Sequence, residues 1–527
     1  MHLPICVLMS VLLMSADERL LVSGSTRSIS ASVGEDVTLN CSVDSHIKPE
    51  DIEEVSWRKT DEDGDILVLL YQNNEAFPDS SDERYRDRVE FFADEIPKGN
   101  FSFRLKSVRT EDKGVYMCQV FAGVLSANTT VVLERLGFSV SHIMVLILCV
   151  SASASALLLC FIIYCRSRSK DLVLSLQMCL VICPNLIMCL AFVFWGVSEG
   201  SLFETVSCSA LYFLRPLLLL WTAPYANELT GKIKTFIQDY SCETEYIVFS
   251  AVFYSVLFKS ALNKSMNYVG FEGVMIILYF VVALVFELIY IIFLLAKFIE
   301  GISEQIIAIF EVLAGISFDV LPLLQFIILF YAFGSARGGY FIVAVLPVFL
   351  IVTRYNWDET CGQKMGCSPS VRRSAWIIIM LSVNGVMIYF YIITLENEKD
   401  RMGWTCTIAF LQLLWAVVNF AWSFNRELYR FVPVYLFGSV AVVLVNSVTL
   451  MTELILKTVN GYGAVGDMRV VVFSSEFIFT LLLMTLLVFE PLIKTCLPSH
   501  QNAVESDESP ANGSNQNTAE SREMIRL

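Results

Sequence analysis

The chain has 527 residues, is 55% hydrophobic and carries a formal net charge of −15, with a mean hydropathy of +0.61. A soluble domain averages about 45–50% apolar residues, so a wholly soluble chain is disfavoured, and the acidity argues against nucleic acid as a partner. Up to about residue 137 the sequence is polar, with 22 acidic against 13 basic residues between Ser25 and Gly137; from about 140 to 495 it is a series of long apolar runs. This pattern predicts a small soluble domain joined to a polytopic membrane region.

Residues 1–24 are expected to be a secretory leader. Cys6 to Met14 form an apolar core too short to span, and Val22-Ser23-Gly24 offers small residues before Ser25, with an earlier cut near Ala16 as the alternative. Residues 25–134 then read as short strands separated by turns. Val33-Gly34-Glu35-Asp36 is a turn, and Val37, Leu39 and Cys41 alternate inward. Further strands are predicted at Val55–Arg58, Ile66–Tyr71, Tyr85–Phe91, Phe101–Leu105, Cys118–Phe121 and Ala127–Leu133. Only Cys41 and Cys118 of the 15 Cys lie in this segment, and two Cys in an exported domain predict one disulfide. With four His and no paired C-x-x-C, neither a metal site nor a cofactor is expected.

Residues 112–118 read Asp-x-Gly-x-Tyr-x-Cys. In an immunoglobulin sandwich such a stretch is the corner into strand F, with the Tyr hydroxyl turned back to the backbone and the Cys bridged to strand B beside a Trp of strand C. Cys41 and Trp57 stand where that reading needs them. The separation of 77 residues between the Cys leaves room for the extra strands of a variable-type domain. Arg88 and Asp112 are expected to form an ion pair closing one end. Asn100 and Asn128 head glycosylation sequons, as does Asn40, whose Ser42 follows a core Cys; Asn263 heads a fourth, close to the membrane.

After a short stalk over 135–141, eleven spans are predicted at about 142–165, 171–195, 204–225, 246–262, 273–297, 306–333, 339–353, 374–395, 403–423, 431–456 and 469–493. Arg166, Arg168 and Lys170, then Lys232 and Lys234, then Arg354, Lys364, Arg372 and Arg373, then Arg426 and Arg430 all fall in loops that this count places in the cytosol. Lys399 and Arg401 fall outside, among acidic residues. An odd count puts the tail, 494–527, in the cytosol, and its composition predicts disorder. Its end, Met524-Ile525-Arg526-Leu527, is a weak match to a terminus that adds as a strand to a PDZ domain. Cys160 and Cys165, at the cytosolic end of the first span, could carry palmitate; Cys361 and Cys367 share a cytosolic loop without metal-site spacing.

A further pattern sharpens the soluble domain. Val33–Cys41, Val55-Ser56-Trp57, Leu70-Tyr71-Gln72-Asn73, Tyr85-Arg86-Asp87-Arg88-Val89, Phe103–Val108 and the Asp112–Cys118 corner follow one another in an order that resembles the V domain of butyrophilins and myelin-oligodendrocyte glycoprotein. The resemblance covers about 110 residues. It implies a plasma-membrane protein with its V domain outside, acting as ligand or receptor in T-cell regulation and binding a protein receptor on another cell. The chain departs from that family in having no constant-type domain, no PRY-SPRY domain and about eleven spans; the multi-span Skint proteins are similar in architecture but have fewer.

The fold class expected is therefore an all-β immunoglobulin V-type sandwich followed by an α-helical polytopic membrane region embedded in the lipid bilayer. No catalytic constellation is legible, so no enzyme is expected. Ligand contact is expected on the sheet formed by strands G, F, C and C′, through Arg58, Leu69, Tyr71, Gln119 and Phe121, with Tyr71 and Phe121 equally readable as core. Ionisable residues inside spans cost about 2.5–3.5 kcal/mol each at the centre on insertion scales, and Arg215, Lys259, Glu287, Glu311, Asp319, Glu453 and Glu476 fall there. Arg215 precedes Pro216, which predicts a kink. Glu311 and Asp319, near two turns apart, are expected on roughly one helix face. These charges read either as an ion or proton path or as pairs between helices, with Arg215 set against Glu311 or Asp319. No pair of Gly/Pro-broken helices at matching places in two halves is legible. Three functions stay open: surface recognition, a channel or transporter with the V domain as an external cap, and homophilic adhesion.

Overall fold

A computed structural model describes residues 20–24, 28–43, 48–60, 64–165, 170–199, 202–225, 228–265, 271–299, 302–332, 345–396, 398, 400–424 and 431–496. The apolar core of the leader, Lys399, Arg426, Arg430, the tail beyond Cys496 and its PDZ-like end lie outside these, as does the Asn263 side chain.

The soluble domain is a β-sandwich. Its strands are β1 (Val22–Gly24), β2 (Ile29–Ser32), β3 (Val37–Leu39), β4 (Cys41–Val43), β5 (Glu54–Thr60), β6 (Ile66–Gln72), β7 (Glu75–Ala76), β8 (Val89–Phe91), β9 (Phe103–Leu105), β10 (Gly114–Ala122) and β11 (Leu125–Gly137). One sheet runs β2-β11-β10-β5-β6-β7, a second β3-β9-β8, and β1 pairs with β4. The expected period-two alternation holds: Val37, Leu39, Cys41 and Val43 point inward, as do Tyr116, Cys118 and Val120 opposite them. Cys41 and Cys118 are bridged, and Trp57 packs edge-on against Phe103 with ring centroids 4.9 Å apart while its Nε1 donates to Phe101 O at 3.0 Å.

Several boundaries move. Val22–Gly24, expected in the leader, forms a strand registered against Cys41–Val43, and Leu20 is buried in the core; a cut after Gly24 would remove a paired strand. The expected strand over Tyr85–Phe91 begins only at Val89, because the chain turns through Asp87 at φ 65. The expected stalk is nearly absent, since β11 runs on to Gly137 and a helix begins at Val140.

The base of the sandwich is closed as the sequence predicts. Arg88 Nη2 donates to Asp112 Oδ2 and, at 3.0 Å, to Ser107 O. Arg109 N donates to Asp112 Oδ2 at 2.7 Å, and Tyr116 Oη to Asp112 O at 2.6 Å. Burial pushes the Tyr116 and Tyr85 hydroxyls well above their ordinary range, so both remain protonated donors.

The helical region comprises α1 (Val140–Cys165), α2 (Lys170–Ser198), α3 (Leu202–Leu214), α4 (Pro216–Thr222), α5 (Gly231–Thr235), α6 (Ser241–Ser265), α7 (Phe271–Phe298), α8 (Glu304–Ala332), α9 (Val345–Trp357), α10 (Pro369–Thr394), α11 (Arg401–Phe424), α12 (Val432–Leu436), α13 (Val442–Asn460) and α14 (Met468–Cys496). Helices stand at all eleven predicted spans. Among the described residues, nine are long and apolar enough to cross a membrane, with α3 and α4 counted together. The fourth, α6, is not one of them; it packs against α3, α4, α7, α8 and α11, and Glu243 and Glu245 are buried there. The seventh, α9, has 13 residues.

Removing the carboxylate of Asp112 leaves the Arg88 guanidinium buried without its partner. Asp112→Ala is expected to lower sandwich stability by about 3–5 kcal/mol, the usual cost of breaking a buried pair from one side. The thermal midpoint of the purified chain, followed with a conformation-specific antibody to the sandwich, checks this.

Candidate functional site

The β11-β10-β5-β6 sheet presents one face to the core and one outward. Its register builds the outer face in rows. Ser126, Phe121, Glu54 and Gln72 stand side by side; below them come Asn128, Gln119, Ser56 and Leu70; below these, Thr130, Met117 and Arg58. Ser126, Asn128, Thr130 and Arg58 are exposed, and Met117, Gln119, Phe121, Leu70 and Gln72 half-buried. Gln72 Nε2 donates to Glu54 Oε2 at 3.4 Å.

Of the five residues expected on this face, Arg58, Gln119 and Phe121 point outward. Leu69 and Tyr71 turn inward and belong to the core. The reason is register: Leu69 pairs with Trp57 and Tyr71 with Val55, both inward. The pairing then slips by one residue between Trp57 and Arg58, a β-bulge. Leu70 and Gln72 take the outward places. Tyr71 packs on Phe91 and Phe101, and burial raises its hydroxyl pKa.

The lower corner of the sandwich rests on the helices. Thr110 Oγ1 donates to Glu199 Oε2 at the end of α2. Glu199 Oε1 also lies 3.1 Å from His142 Nε2 at the start of α1. Lys113 Nζ donates to Val459 O at the end of α13. Neither His142 nor Glu199 stands out in the sequence, because their contact joins the first turn of one helix to the end of the next.

The intramembrane charges divide into pairs, loop anchors and exposed groups. Arg215 is fully buried, and its Nε donates to Glu476 Oε1 at 2.5 Å, its Nη1 to Asn185 Oδ1 at 2.9 Å and its Nη2 to Gly438 O. Its partner is thus Glu476 on α14, and neither Glu311 nor Asp319. Asp319 pairs with Arg354 of α9 at 3.0 Å, and Arg354 also donates to Asn419 at 2.8 Å. Glu311 is 56% exposed and meets Lys297 at 3.6 Å, so it does not share the buried face of Asp319; eight residues at 100° each leave the two about 80° apart. Lys259 is exposed on α6. Glu453 sits at the end of α13 and accepts from the backbone of Ala464, Val465 and Gly466 at 2.8–3.1 Å, which makes it the anchor of the following loop. Glu287 is buried with no hydrogen-bond partner on either oxygen among the described residues.

Two interrupted spans meet at Arg215. Pro216 separates α3 from α4, and the freed Leu218 N–H donates to Glu245 Oε2 at 2.8 Å. A π-turn over Phe437–Ala441 separates α12 from α13 and offers Gly438 O to Arg215. The sequence shows Pro216, but a π-turn at Phe437–Ala441 has no residue signature, so this meeting of two breaks is not legible there. Glu245, Asn185 and the chain of Gln325, Gln412, Tyr246 and Tyr391 hydroxyls and amides also escape a sequence search confined to charges within apolar runs.

With the geometry described, the comparisons with known proteins decide the class of the sandwich. The immunoglobulin V-set domain model matches residues 24–136. That segment is an immunoglobulin V-set domain. Human V-set domain-containing T-cell activation inhibitor 1 is 30% identical over 124 residues, covering 23% of this chain and 42% of that protein. Human butyrophilin subfamily 2 member A2 is 29% identical over 97 residues, 18% of each chain. The crystal structure of the human B7-H4 IgV-like domain shares 28% identity over 23% of this chain and 96% of that one, at a TM-score of 0.20. The chain therefore spans less than half the length of these curated relatives. Among the described residues, no group of three or more His, Cys, Asp or Glu is placed to hold a metal ion.

The Arg215–Glu476 pair joins α3 to α14 across the bundle. Arg215→Leu is expected to cost about 3–5 kcal/mol by stranding a buried carboxylate, and the double change Arg215→Leu/Glu476→Leu less than the sum of the singles, with a coupling of about 1 kcal/mol or more. Thermal unfolding of the four proteins in detergent measures the cycle; strictly additive losses would show that the pair is not coupled.

Proposed function

We propose that the chain is a cell-surface recognition protein of the immunoglobulin superfamily. Its V domain faces outward and docks a protein receptor on another cell through the outer face of β11, β10, β5 and β6. The observation that carries this reading is the attitude of the V domain on the helices. Its lower corner is tied down through Thr110 and Lys113, while the rows holding Phe121, Gln119 and Arg58 lie on a sheet face that none of the described helices covers. That face mixes aromatic, amide and guanidinium groups in the manner of protein interfaces. Relatives named for inhibition of T-cell activation support a receptor on T cells, with regulation of their activation as the outcome.

The helices anchor this domain in the plasma membrane. The basic loops support a cytosolic C-terminus, so a tag placed after Leu527 is expected to be unreachable on intact cells and reachable after permeabilisation. Staining of intact cells would overturn that topology.

Changing Phe121→Asp and Arg58→Asp together places charge in the middle of the face without touching the core. Cells displaying the full chain are expected to bind leukocytes, and the double variant to bind about 30-fold less, as loss of an interface hot spot of about 2 kcal/mol implies. Equal binding with normal surface expression would sink this face as the docking surface.

A second reading, a channel or transporter, is favoured by one observation: the breaks at Arg215-Pro216 and Phe437–Ala441 meet at one buried polar centre, as broken helices do at transporter sites. Current or solute flux that disappears in Glu476→Gln would support it.

A further inference from the structure

The docking face carries a glycosylation sequon of its own. Asn128-Thr129-Thr130 lies within β11, and the alternation of that strand decides what each residue meets. Thr129 turns inward, where it sits against Gly24; a Cβ at Gly24 would come within 2.7 Å of its Oγ1. Asn128 and Thr130, two apart, both turn outward and are exposed. The two groups an oligosaccharyl acceptor needs, the Asn amide and the hydroxyl two residues on, therefore stand free on one surface.

That surface is the outer face of the β11-β10-β5-β6 sheet. Asn128 is registered directly opposite Gln119 on β10, with Phe121 in the row above and Met117 in the row below. Side chains directly opposite on neighbouring strands have Cβ atoms about 4.5–5.5 Å apart, so the first sugar on Asn128 would begin beside Gln119. β2 pairs with β11 only from Leu133 to Gly137, and β1 lies against the inward side of the strand at Thr129. Asn128 itself is exposed on the outer side, within reach of the middle of the face.

The remaining sequons differ. Asn100 is half-buried beyond the end of β4, bridged to Ser42, with its Oδ1 accepting from both the N–H and the hydroxyl of Ser102. Asn40 precedes the disulfide Cys41 between β3 and β4. Neither is on the β10 side of the sandwich.

We propose that Asn128 carries an N-linked oligosaccharide that stands on the docking face, masks its β11–β10 half around Gln119 and Met117, and confines protein contact to the β5–β6 half, around Arg58, Leu70 and Gln72. This rests on the reading that the V domain is exported and docks through this sheet. The glycan is a large, hydrated, mobile group, and a partner seated on Gln119 would have to displace it; a partner seated on β5 and β6 would not. Occupancy of one sequon then sets how much of the face a partner can use.

The test uses the full chain expressed in mammalian cells. Asn128→Gln and Thr130→Ala are each expected to increase gel mobility by one glycan, with the difference abolished by enzymatic deglycosylation. Accessibility is then read without any partner, by introducing Gln119→Cys or Gln72→Cys and labelling intact cells with a bulky polymer-linked maleimide. Gln72→Cys is expected to label equally with and without Asn128→Gln. Gln119→Cys is expected to label slowly in the glycosylated protein and at least tenfold faster once Asn128→Gln is added, while Asn100→Gln leaves it slow. Unchanged mobility in both sequon variants, or labelling of Gln119→Cys that ignores Asn128→Gln, would overturn the proposal. Leukocyte binding is scored on the same cells. Masking of Gln119 with no leukocyte binding in any variant would uphold the glycan's placement and sink the docking function instead.

Discussion

Asp112 is the residue on which separate parts of the V domain converge. Its carboxylate takes the Arg88 guanidinium and the Arg109 N–H, and its carbonyl takes the Tyr116 hydroxyl. A buried carboxylate is costly unless its lone pairs are used, and here the turns before β8 and β10 are drawn together to use them, while Tyr116 of β10 takes the backbone carbonyl. Once that corner is formed, Tyr116, Cys118 and Val120 are phased inward, and Met117, Gln119 and Phe121 must face outward. The outward face of this sheet is therefore a consequence of how one buried charge is satisfied at the opposite end of the strand.

The same turn ties the V domain to the helices. Thr110 and Lys113, on either side of Asp112, reach Glu199 and Val459 O. Gly114 follows at φ 150, where a Cβ would meet the Lys59 side chain at 2.8 Å, and Lys59 in turn donates to Glu111 O. Six consecutive residues thus close the sandwich, dock it and launch the strand that carries the face. A hinge between domain and membrane has little chain to act in, since only Phe138 and Ser139 lie between β11 and α1.

The legible and illegible parts of the sequence divide by the range of the interaction. The corner over 112–118, the Cys41–Cys118 bridge, Trp57 in the core and the Arg88–Asp112 pair could be read because each is tied to a local pattern at fixed spacing. The inward turn of Leu69 and Tyr71 could not, because it is set by their pairing with Trp57 and Val55, a register that no residue of either strand marks. The helices show the same division. Their positions follow from apolar length, but the partner of Arg215 depends on how α3 is rotated against α14, 261 residues away. Glu311 and Asp319 are the partners expected from sequence; packing chose Glu476. For α6 the hydropathy signal itself weakens, because a helix packed largely against other helices needs little apolar face.

Fixing the base of the V domain also fixes the height of each row. β11 has 13 residues from Leu125 to Gly137, and at about 3.3 Å per residue its far end stands on the order of 40 Å above its near one. Asn128 is nine residues above Gly137, on the order of 30 Å along the strand, in the row of Gln119 and one below Phe121. A partner arriving from an opposing surface would meet these upper rows first, and a glycan on Asn128 would lie across its approach. The breaks at Arg215 and Gly438 lie within the helical region, with the tied corner of the V domain between them and the docking rows. The helices reach the V domain through Glu199 and Val459, which hold the corner, and through the short link from β11 to α1.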